Sequence, residues 1–242
     1  MTMLDSEIAA LIADLDQHDK PTIRAAVDVL IPLAEQSPDL RDLLHERLAR
    51  SGQRNYWPVA YILGQLPSPS DAVVRILLDA LDHREPDIRW AMALLLIRIA
   101  KQDSNVVSRL IDLSASGTAN QKRMALYCIR DLILSDAASL TALVNALGDT
   151  DPTVRVTAAI CLKVRPDVKE TGKTLLLKAY LEDSDLRVRN AAAIVLANLG
   201  SPSEEFLIAL RAASESKNGQ TKKTAVAALD LLEKRRSAPA GN

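Results

Sequence analysis

Apolar residues recur along most of the chain at the three- and four-residue spacing that is typical of amphipathic helices. The segment 183–199 shows this most clearly, because one face of its predicted helix carries Val188, Ala191, Ala192, Val195, Leu196 and Leu199. Asp185, near the helix start, is suited to accept hydrogen bonds from the first free amides. Gly200 is suited to the left-handed conformation that often closes a helix. The stretch therefore predicts a turn followed by one packed helix.

The same stretch recurs seven times along the chain. The repeats align on a residue near the start of each second helix, which is basic except at Tyr56: Arg24, Tyr56, Arg89, Arg123, Arg155, Arg189 and Lys223. Successive positions are 32, 33, 34, 32, 34 and 34 residues apart. A nearly constant period in this range is typical of stacked two-helix repeats.

Each repeat is predicted to contain two helices joined by a short turn, which is acidic in most repeats. The predicted pairs are 4–16 and 21–35, 37–50 and 55–66, 70–82 and 86–101, 104–116 and 119–134, 136–148 and 152–164, 170–182 and 185–199, and 202–216 and 220–235. The linkers are short and the composition does not change along the chain. The sequence thus predicts an all-α fold, an α–α superhelix, with residues 1–236 as a single solenoid domain and residues 237–242 as a loose tail.

Two stretches carry a family resemblance. Residues 177–193 (Leu-Lys-Ala-Tyr-Leu-Glu-Asp-Ser-Asp-Leu-Arg-Val-Arg-Asn-Ala-Ala-Ala) and residues 143–155 (Leu-Val-Asn-Ala-Leu-Gly-Asp-Thr-Asp-Pro-Thr-Val-Arg) resemble the HEAT repeat. The similarity is greatest to the short type found in phycobilisome-lyase-like proteins of bacteria. Repeat two departs most from the pattern, at Asn55-Tyr-Trp-Pro58. The resemblance implies an ARM-type α-solenoid, and function on such scaffolds lies in surface residues.

The resemblance also implies a ladder of Asp–Arg contacts between repeats, formed by Asp19, Arg24, Asp87, Arg89, Asp151, Arg155, Asp185 and Arg189. Carboxylates are stabilised at helix N-termini, and a guanidinium fork can satisfy the groups of a turn. The alternative is a basic stripe that grips phosphates, formed by Arg54, Arg89, Arg123, Arg155, Arg189 and Lys223. The ladder is preferred because the acids repeat in register with the bases.

Composition and charge narrow the function classes. The net charge of −1 gives no overall attraction to nucleic acid or acidic membranes. The N-terminal residues carry acids where a signal peptide carries bases, and no apolar run is long enough to cross a bilayer. Cys128 and Cys161 lie in helical apolar runs; they could meet as a redox pair, but two small buried hydrophobes are preferred. A reduced, cytoplasmic protein is therefore expected.

No catalytic, metal or cofactor site is expected. His18 and His83 lie in the turns of different repeats. Deoxyhypusine hydroxylases, another HEAT-repeat class, bind iron through several His–Glu pairs, whereas this chain has one such pair at His45-Glu46. One pair cannot supply the ligands that the metal requires, so we expect a protein that is not an enzyme.

Aromatic residues are scarce, and several share one face of the predicted second helices. This face is predicted to carry Trp57, Tyr61, Trp90, Leu94, Met124 and Tyr127. The second helices line the concave side of HEAT solenoids, so the cluster has the composition of an interaction hot spot. The alternative is that these side chains fill gaps between successive second helices and belong to the core.

Charge is uneven near the C-terminus. Residues 211–236 hold seven bases and three acids. A solvated cap on the last repeat is the preferred interpretation. The alternative is a contact with an acidic partner or with the acidic N-terminus of another copy.

The preferred function is a non-catalytic scaffold that binds a protein or peptide partner. A bilin lyase or chromophore-handling chaperone is the first alternative, by resemblance of the repeat type. A DNA-repair glycosylase of the HEAT-like class is the second, although those enzymes are basic and aromatic-rich. Neither nucleic acid nor a membrane is expected as a partner.

Overall fold

A computed structural model of the protein describes residues 3–17, 19–50, 56–132, 136–165, 167–200 and 202–237, and the regular secondary structure in these residues is helical. These contain the α-helices α1 (Met3–Asp14), α2 (Lys20–Gln36), α3 (Pro38–Arg50), α4 (Trp57–Gln65), α5 (Asp71–Asp79), α6 (Pro86–Ala100), α7 (Ser104–Ser116), α8 (Ala119–Leu132), α9 (Ala137–Asn145), α10 (Pro152–Leu162), α11 (Glu170–Glu182), α12 (Leu186–Leu199), α13 (Glu204–Ser214) and α14 (Gly219–Ser237). Short 3₁₀ turns, Ala80–Asp82 and Ala146–Gly148, extend α5 and α9. The predicted all-α fold class is confirmed, and the predicted helix limits agree closely with the observed ones.

Capping side chains explain where two of the second helices begin, and a glycine explains where one of them ends. The side chains of Asp151 and Asp185 accept hydrogen bonds from the amides of Thr153 and Arg187, at 2.7 and 2.8 Å. Each carboxylate thereby satisfies one of the free amides at the helix start. Gly200 ends α12 with a φ of 68°, a conformation that glycine adopts without a steric penalty.

The chain divides into two compact units, residues 1–110 and 111–242, called here the N-terminal and C-terminal units. In the N-terminal unit, the second helices α2, α4 and α6 pack in series, and α1, α3 and α5 pack against them. In the C-terminal unit, α8, α10, α12 and α14 pack in series, with α9, α11 and α13 against them. A single domain over residues 1–236 stays a prediction. The predicted loose tail lies outside the described residues, except that Ser237 ends α14.

The core of the N-terminal unit lies between its two helix layers. Leu63, Leu77 and Leu96 are fully buried there. Gly64 brings α4 close to its neighbours, because a Cβ atom at this position would lie 2.9 Å from Leu95 Cδ2 and 3.0 Å from Leu77 Cδ1. Real Cβ atoms avoid such distances, so a larger residue here would displace core leucines.

Buried side chains define a common register for the second helices. In repeats two, three, five and six, the buried residues lie three, four, six and seven positions after the aligned one: Val59, Ala60, Ile62 and Leu63; Met92, Ala93, Leu95 and Leu96; Ala158, Ala159, Cys161 and Leu162; and Ala192, Ala193, Val195 and Leu196. Each position therefore has a fixed environment, set by packing against the neighbouring helices.

This register corrects the predicted alignment of repeats four and seven. In repeat four the buried residues are Ala125, Leu126, Cys128 and Ile129. They lie three, four, six and seven positions after Lys122, so the aligned residue is Lys122 and not Arg123. In repeat seven the buried residues Ala225 and Ala228 lie three and six positions after Lys222, so the aligned residue is Lys222 and not Lys223. Both sites are basic dipeptides, so charge alone could not choose between the two residues. The corrected aligned positions are Arg24, Tyr56, Arg89, Lys122, Arg155, Arg189 and Lys222, with spacings of 32, 33, 33, 33, 34 and 33 residues.

Candidate functional site

The residues one and five places after the aligned position are not buried in any repeat. We call these positions the second-helix face of each unit. In the N-terminal unit they are Ala25 and Val29, Trp57 and Tyr61, and Trp90 and Leu94; in the C-terminal unit they are Arg123 and Tyr127, Val156 and Ile160, Asn190 and Ile194, and Lys223 and Ala227. In the N-terminal unit this face is entirely apolar or aromatic. Four of the six residues predicted to bind a partner belong to that part of the face: Trp57, Tyr61, Trp90 and Leu94.

The other two predicted residues lie in the C-terminal unit and differ from each other. Met124 is 5% exposed and belongs to the core, which corrects its predicted position on the surface. Its place on the face is taken by Arg123, because repeat four is shifted by one residue. Tyr127 is on the face, half-buried, with the guanidinium of Arg130 centred 4.9 Å from its ring. This contact is a cation–π interaction.

A pocket of about 220 Å³ opens on the N-terminal part of the face. Trp57 and Tyr61 of α4 line one side, and charged residues of α2 and α6 line the rest: Lys20, Arg24, Asp28 and Asp87. Val27, Ile88 and Ala91 complete its apolar wall. We call this the aromatic pocket. Trp90 and Leu94 are 40% and 62% exposed and lie outside the pocket lining, on the face of the next helix.

The aromatic pocket exists because of an exception at Asp28. Four residues after the aligned position, repeats two, three, five and six carry a fully buried alanine, for example Ala60 and Ala93. Repeat one has the exposed Asp28 at this position instead. A charged side chain is not packed into the contact between α2 and α4, so the space beside Trp57 and Tyr61 stays open. An acid in a column that is apolar in every other repeat is the signal in the sequence that could have located the pocket.

An ion cluster closes one end of the aromatic pocket. The Lys20 ammonium lies 2.8 Å from Glu85 Oε2 and 3.0 Å from Asp87 Oδ1, and Arg24 Nη2 lies 3.4 Å from Asp87 Oδ2. Hydrogen bonds from Lys20 lower the pKa of both carboxyls and raise the pKa of Lys20. The pairs are exposed, so they contribute little to stability. They connect repeat one directly to repeat three and place charge of both signs at the pocket rim.

Trp57 lies where the regular pairing between repeats is absent. Tyr56 occupies the aligned position without a charge, and His83 stands where later repeats carry Asp149 and Asp183. The Trp57 and His83 rings meet edge to face, with centroids 6.2 Å apart. Burial is the largest cause of the lowered pKa of His83, which favours the neutral imidazole. An aromatic contact thus replaces the ion pair between repeats two and three.

Tyr56 is built into the structure of the N-terminal unit. Its hydroxyl donates a hydrogen bond to Asp16 Oδ1 at 2.7 Å and accepts one from Arg47 Nε at 2.7 Å. Arg47 also forms an ion pair with Asp16. Burial raises the pKa of Tyr56, so the phenol stays protonated. The departure of repeat two from the consensus at this residue therefore has a structural cause.

Ion pairs connect repeats in the C-terminal unit, but through different acids from those expected. Arg155 binds both carboxylate oxygens of Asp183, at 2.7 and 2.9 Å, and Lys122 binds Asp149 at 2.7 Å. The partner is thus the first acid of the following turn. The expected acids two residues later, Asp151 and Asp185, act as helix caps instead.

The remaining expected ladder residues do not repeat this geometry. Asp19 caps α2, and its Oδ2 accepts hydrogen bonds from the amide and hydroxyl of Thr22. Arg89 Nη1 donates to the carbonyl oxygens of His83 and Arg84 in its own turn. Among the described residues, Arg189 has neither an ion pair nor a hydrogen bond. For the alternative basic stripe, Arg155 is occupied by Asp183, and Arg54 lies outside the described residues.

The cysteines are packed in the core of the C-terminal unit. Cys128 and Cys161 are both fully buried. Burial raises the pKa of the Cys128 thiol and raises that of Cys161 to about 12. Since the thiolate is the reactive form, both thiols are expected to be unreactive at neutral pH.

The histidines do not converge. His45 is exposed on α3, His83 lies in a turn, and His18 is outside the described residues. Within the described part of the chain, no group of three or more His, Cys, Asp or Glu residues is placed to hold a metal ion. None of the described helices is both long and apolar enough to span a bilayer.

Comparisons with known proteins agree with this architecture. Residues 140–230 match a family profile for HEAT repeats. The Escherichia coli protein YibA has a similar structure, with a TM-score of 0.56 and 18% identity over 93% of this chain and 92% of that one. Kap121p gives a TM-score of 0.62 and 13% identity over 95% of this chain and 30% of that one. At these identities the likeness concerns the fold alone.

Human deoxyhypusine hydroxylase is also similar, with 16% identity over 95% of this chain and 96% of that one, but its TM-score is only 0.38. A likeness at that level says nothing about activity. No curated protein matches the sequence. The matched profile describes HEAT repeats in general, and the likeness to phycobilisome lyases is not shown. The profile match over residues 140–230 and the packed helix pairs together support an all-helical α-solenoid fold like that of HEAT and armadillo repeat proteins.

Proposed function

We propose that this protein is a non-catalytic scaffold that binds a protein or peptide partner through the second-helix face of its N-terminal unit. The observation that supports this is the aromatic pocket beside the exposed side chains of Trp90 and Leu94. Soluble proteins seldom leave both aromatic and large aliphatic side chains exposed on one face without a binding role. Tryptophan and tyrosine are also enriched among residues that dominate binding energy.

The dimensions of the pocket favour one partner side chain as its occupant. Its volume of about 220 Å³ is below the roughly 300–1,000 Å³ that is common for small-molecule sites. A tetrapyrrole is larger than this pocket, so the proposal favours a peptide over a chromophore. An apolar side chain inserted between Trp57 and Tyr61 would bury both rings further.

The rim supplies the polar part of such an interface. Lys20, Arg24 and Asp87 are at least one-third exposed at their side chains and can also pair with groups on a partner. An apolar centre with a polar rim is the usual composition of a protein interface. Because the rim carries charge of both signs, it would orient a partner and would not select polyanions such as DNA.

The test compares partners captured by the wild-type protein and by two variants. Trp90→Ala/Leu94→Ala removes exposed side chains without opening the core, and Trp57→Ala removes one wall of the pocket. Leu43→Ala is the matched control, because Leu43 is 46% exposed on α3, a first helix of the same unit. Captured proteins are identified by mass spectrometry, and the Kd of each purified candidate is then measured by calorimetry.

We expect each face variant to weaken binding by about 30-fold or more, the loss typical of a hot-spot residue, while Leu43→Ala stays near the wild-type value. Circular dichroism and thermal unfolding check that the variants are folded. The proposal fails if every purified partner binds the folded face variants as tightly as it binds the wild-type protein.

A further inference from the structure

The two ion pairs between repeats in the C-terminal unit follow one rule. Lys122 and Arg155 occupy aligned positions, and each binds a carboxylate of the next repeat. The carboxylates, Asp149 and Asp183, each lie six residues before the next aligned position. The side-chain oxygens of both also accept a hydrogen bond from the amide two residues later, at 2.8 Å. Each of these two aspartates thus stabilises its own turn and also binds the aligned basic residue of the preceding repeat.

The rule predicts an acid at position 216 to pair with Arg189, but this residue is Ser216. The Ser216 hydroxyl keeps the role in the turn, since it accepts a hydrogen bond from the amide of Asn218 at 3.1 Å. It supplies no charge for Arg189. The acids of the preceding turn are already occupied, because Asp183 binds Arg155 and two residues later Asp185 binds the side chain of Arg187.

Arg189 consequently has no ion pair or hydrogen bond among the described residues, and its Nε atom is buried. Burying a guanidinium donor in this way is unfavourable unless something else satisfies it. Arg189 also lines a cavity of about 160 Å³ to which α11, α12, α13 and α14 all contribute residues. The polar groups around this cavity come from Asn190, Thr221, Thr224 and Tyr180. We call it the Arg189 pocket.

The surroundings of the Arg189 pocket are basic. Lys217, Lys222 and Lys223 lie in the turn before α14 or in its first turns, and residues 211–236 contain seven bases against three acids. An acidic chain approaching this region would be attracted before any specific contact formed. A carboxylate matches the planar fork of an arginine and can accept two parallel hydrogen bonds from it, as Asp183 does from Arg155.

We propose that the Arg189 pocket binds an aspartate or glutamate side chain from an acidic segment of a partner protein. This carboxylate takes the place that an acid at position 216 would fill within the repeat. The threonine hydroxyls and the Asn190 amide can donate to its remaining lone pairs. The site lies in the C-terminal unit and does not depend on the aromatic pocket.

The test uses a fluorescein-labelled hexa-aspartate peptide, with a hexa-asparagine peptide as the uncharged control, and measures binding by fluorescence anisotropy at low salt. Arg189→Gln removes the guanidinium, and Ser216→Asp supplies an internal carboxylate. Arg211→Gln is the matched control, since it removes the same charge from an exposed position on α13. Loss of a charged hydrogen bond should weaken the peptide about tenfold or more in both pocket variants, and less than about threefold in the control.

A second readout does not depend on the peptide. Ser216→Asp should raise the thermal midpoint of unfolding, because it completes the pairing of Arg189, and it should have no such effect when Arg189→Gln is also present. Ser216→Asp keeps Arg189, so its effects on peptide binding and on the thermal midpoint keep the proposal testable even if Arg189→Gln folds poorly.

Three outcomes would overturn the proposal. The first is that the wild-type protein shows no saturable binding of the hexa-aspartate peptide. The second is that Arg211→Gln weakens binding as much as Arg189→Gln does, which would indicate general attraction to basic charge. The third is that inorganic phosphate displaces the peptide at equal concentration, which would indicate an unspecific anion site.

Discussion

Arg155 binds Asp183 of the following repeat through two parallel hydrogen bonds, Nε to Oδ2 at 2.7 Å and Nη2 to Oδ1 at 2.9 Å. The remaining Nη1 donates to the backbone oxygens of Asp149 and Thr150 in its own turn. One guanidinium therefore joins the turns of repeats five and six. The Asp183 side chain is 8% exposed and that of Arg155 is 15% exposed, so solvent screens the pair only weakly.

Replacing Asp183 by asparagine should destabilise the protein strongly. The side-chain oxygen of asparagine can still accept the hydrogen bond from the backbone amide of Asp185. The variant nevertheless leaves the largely buried Arg155 charge without its partner. We expect a loss of about 3 kcal/mol in the free energy of unfolding, measured by urea denaturation. Asp185→Asn is the control and should cost less than about 1 kcal/mol, because asparagine also caps helices. Equal losses in the two variants would contradict the role assigned to Asp183.

The same pair predicts a dependence of stability on pH. Hydrogen bonds from Arg155 lower the pKa of Asp183 in the folded protein. A carboxyl whose folded pKa is depressed stabilises the fold fully above its unfolded pKa, about 3.9, and loses that contribution as the pH falls through the folded pKa. The free energy of unfolding should therefore decline below about pH 4. Urea titrations between pH 2.5 and 7 should show a shallower decline for Asp183→Asn, and an unchanged slope would argue against the pair.

The corrected register of repeat four predicts different effects for two adjacent basic residues. Lys122 binds Asp149, and both side chains are less than one-fifth exposed. Lys122→Gln should therefore lower the free energy of unfolding by about 2 kcal/mol. Arg123 lies on the second-helix face, and its Nε atom is buried without a hydrogen bond. Arg123→Gln therefore gives up no hydrogen bond at Nε and should cost less than about 0.5 kcal/mol. Chemical denaturation measures the loss in each variant. A larger loss for Arg123→Gln than for Lys122→Gln would favour Arg123 as the aligned residue of repeat four.

Tyr56→Phe should destabilise the N-terminal unit. The variant removes the hydroxyl that donates to Asp16 and accepts from Arg47, while the ring itself stays in place. Loss of these two hydrogen bonds should cost about 1–3 kcal/mol in thermal or urea unfolding. Tyr61→Phe is the control and should leave stability unchanged, since Tyr61 lines the open aromatic pocket. If the two variants were equally stable, the Tyr56 hydroxyl would have no structural role.

Neither cysteine should react readily in the folded protein. Burial raises the pKa of Cys128 and Cys161, so at pH 8 almost no thiolate forms and no reagent can reach the sulfur atoms. Titration with a disulfide reagent should proceed at least about 100-fold more slowly without urea than with it. Rapid modification of either thiol in the absence of urea would show that the core opens around it.

The candidate site was only partly accessible from sequence. Trp57 and Trp90 could be assigned to one register by counting, because repeats two and three are correctly aligned. Met124 was misplaced, because the neighbouring basic residues Lys122 and Arg123 are indistinguishable by charge, and only burial separates them. Asp28 is a detectable signal, because every other repeat carries an apolar residue at this position. The aromatic pocket that it keeps open depends on the packing of three helices.

The sequence by itself determined the repeats, their helix pairs and the all-α fold. These follow from local spacing of apolar residues, from capping acids and from a period of about 33 residues, all of which are properties of contiguous chain. Only the tertiary structure decided which acid binds Arg155, how repeat four is aligned, and that Arg189 forms no ion pair among the described residues. Those outcomes depend on contacts between residues from different repeats, where a shift of one position exchanges a buried side chain for an exposed one.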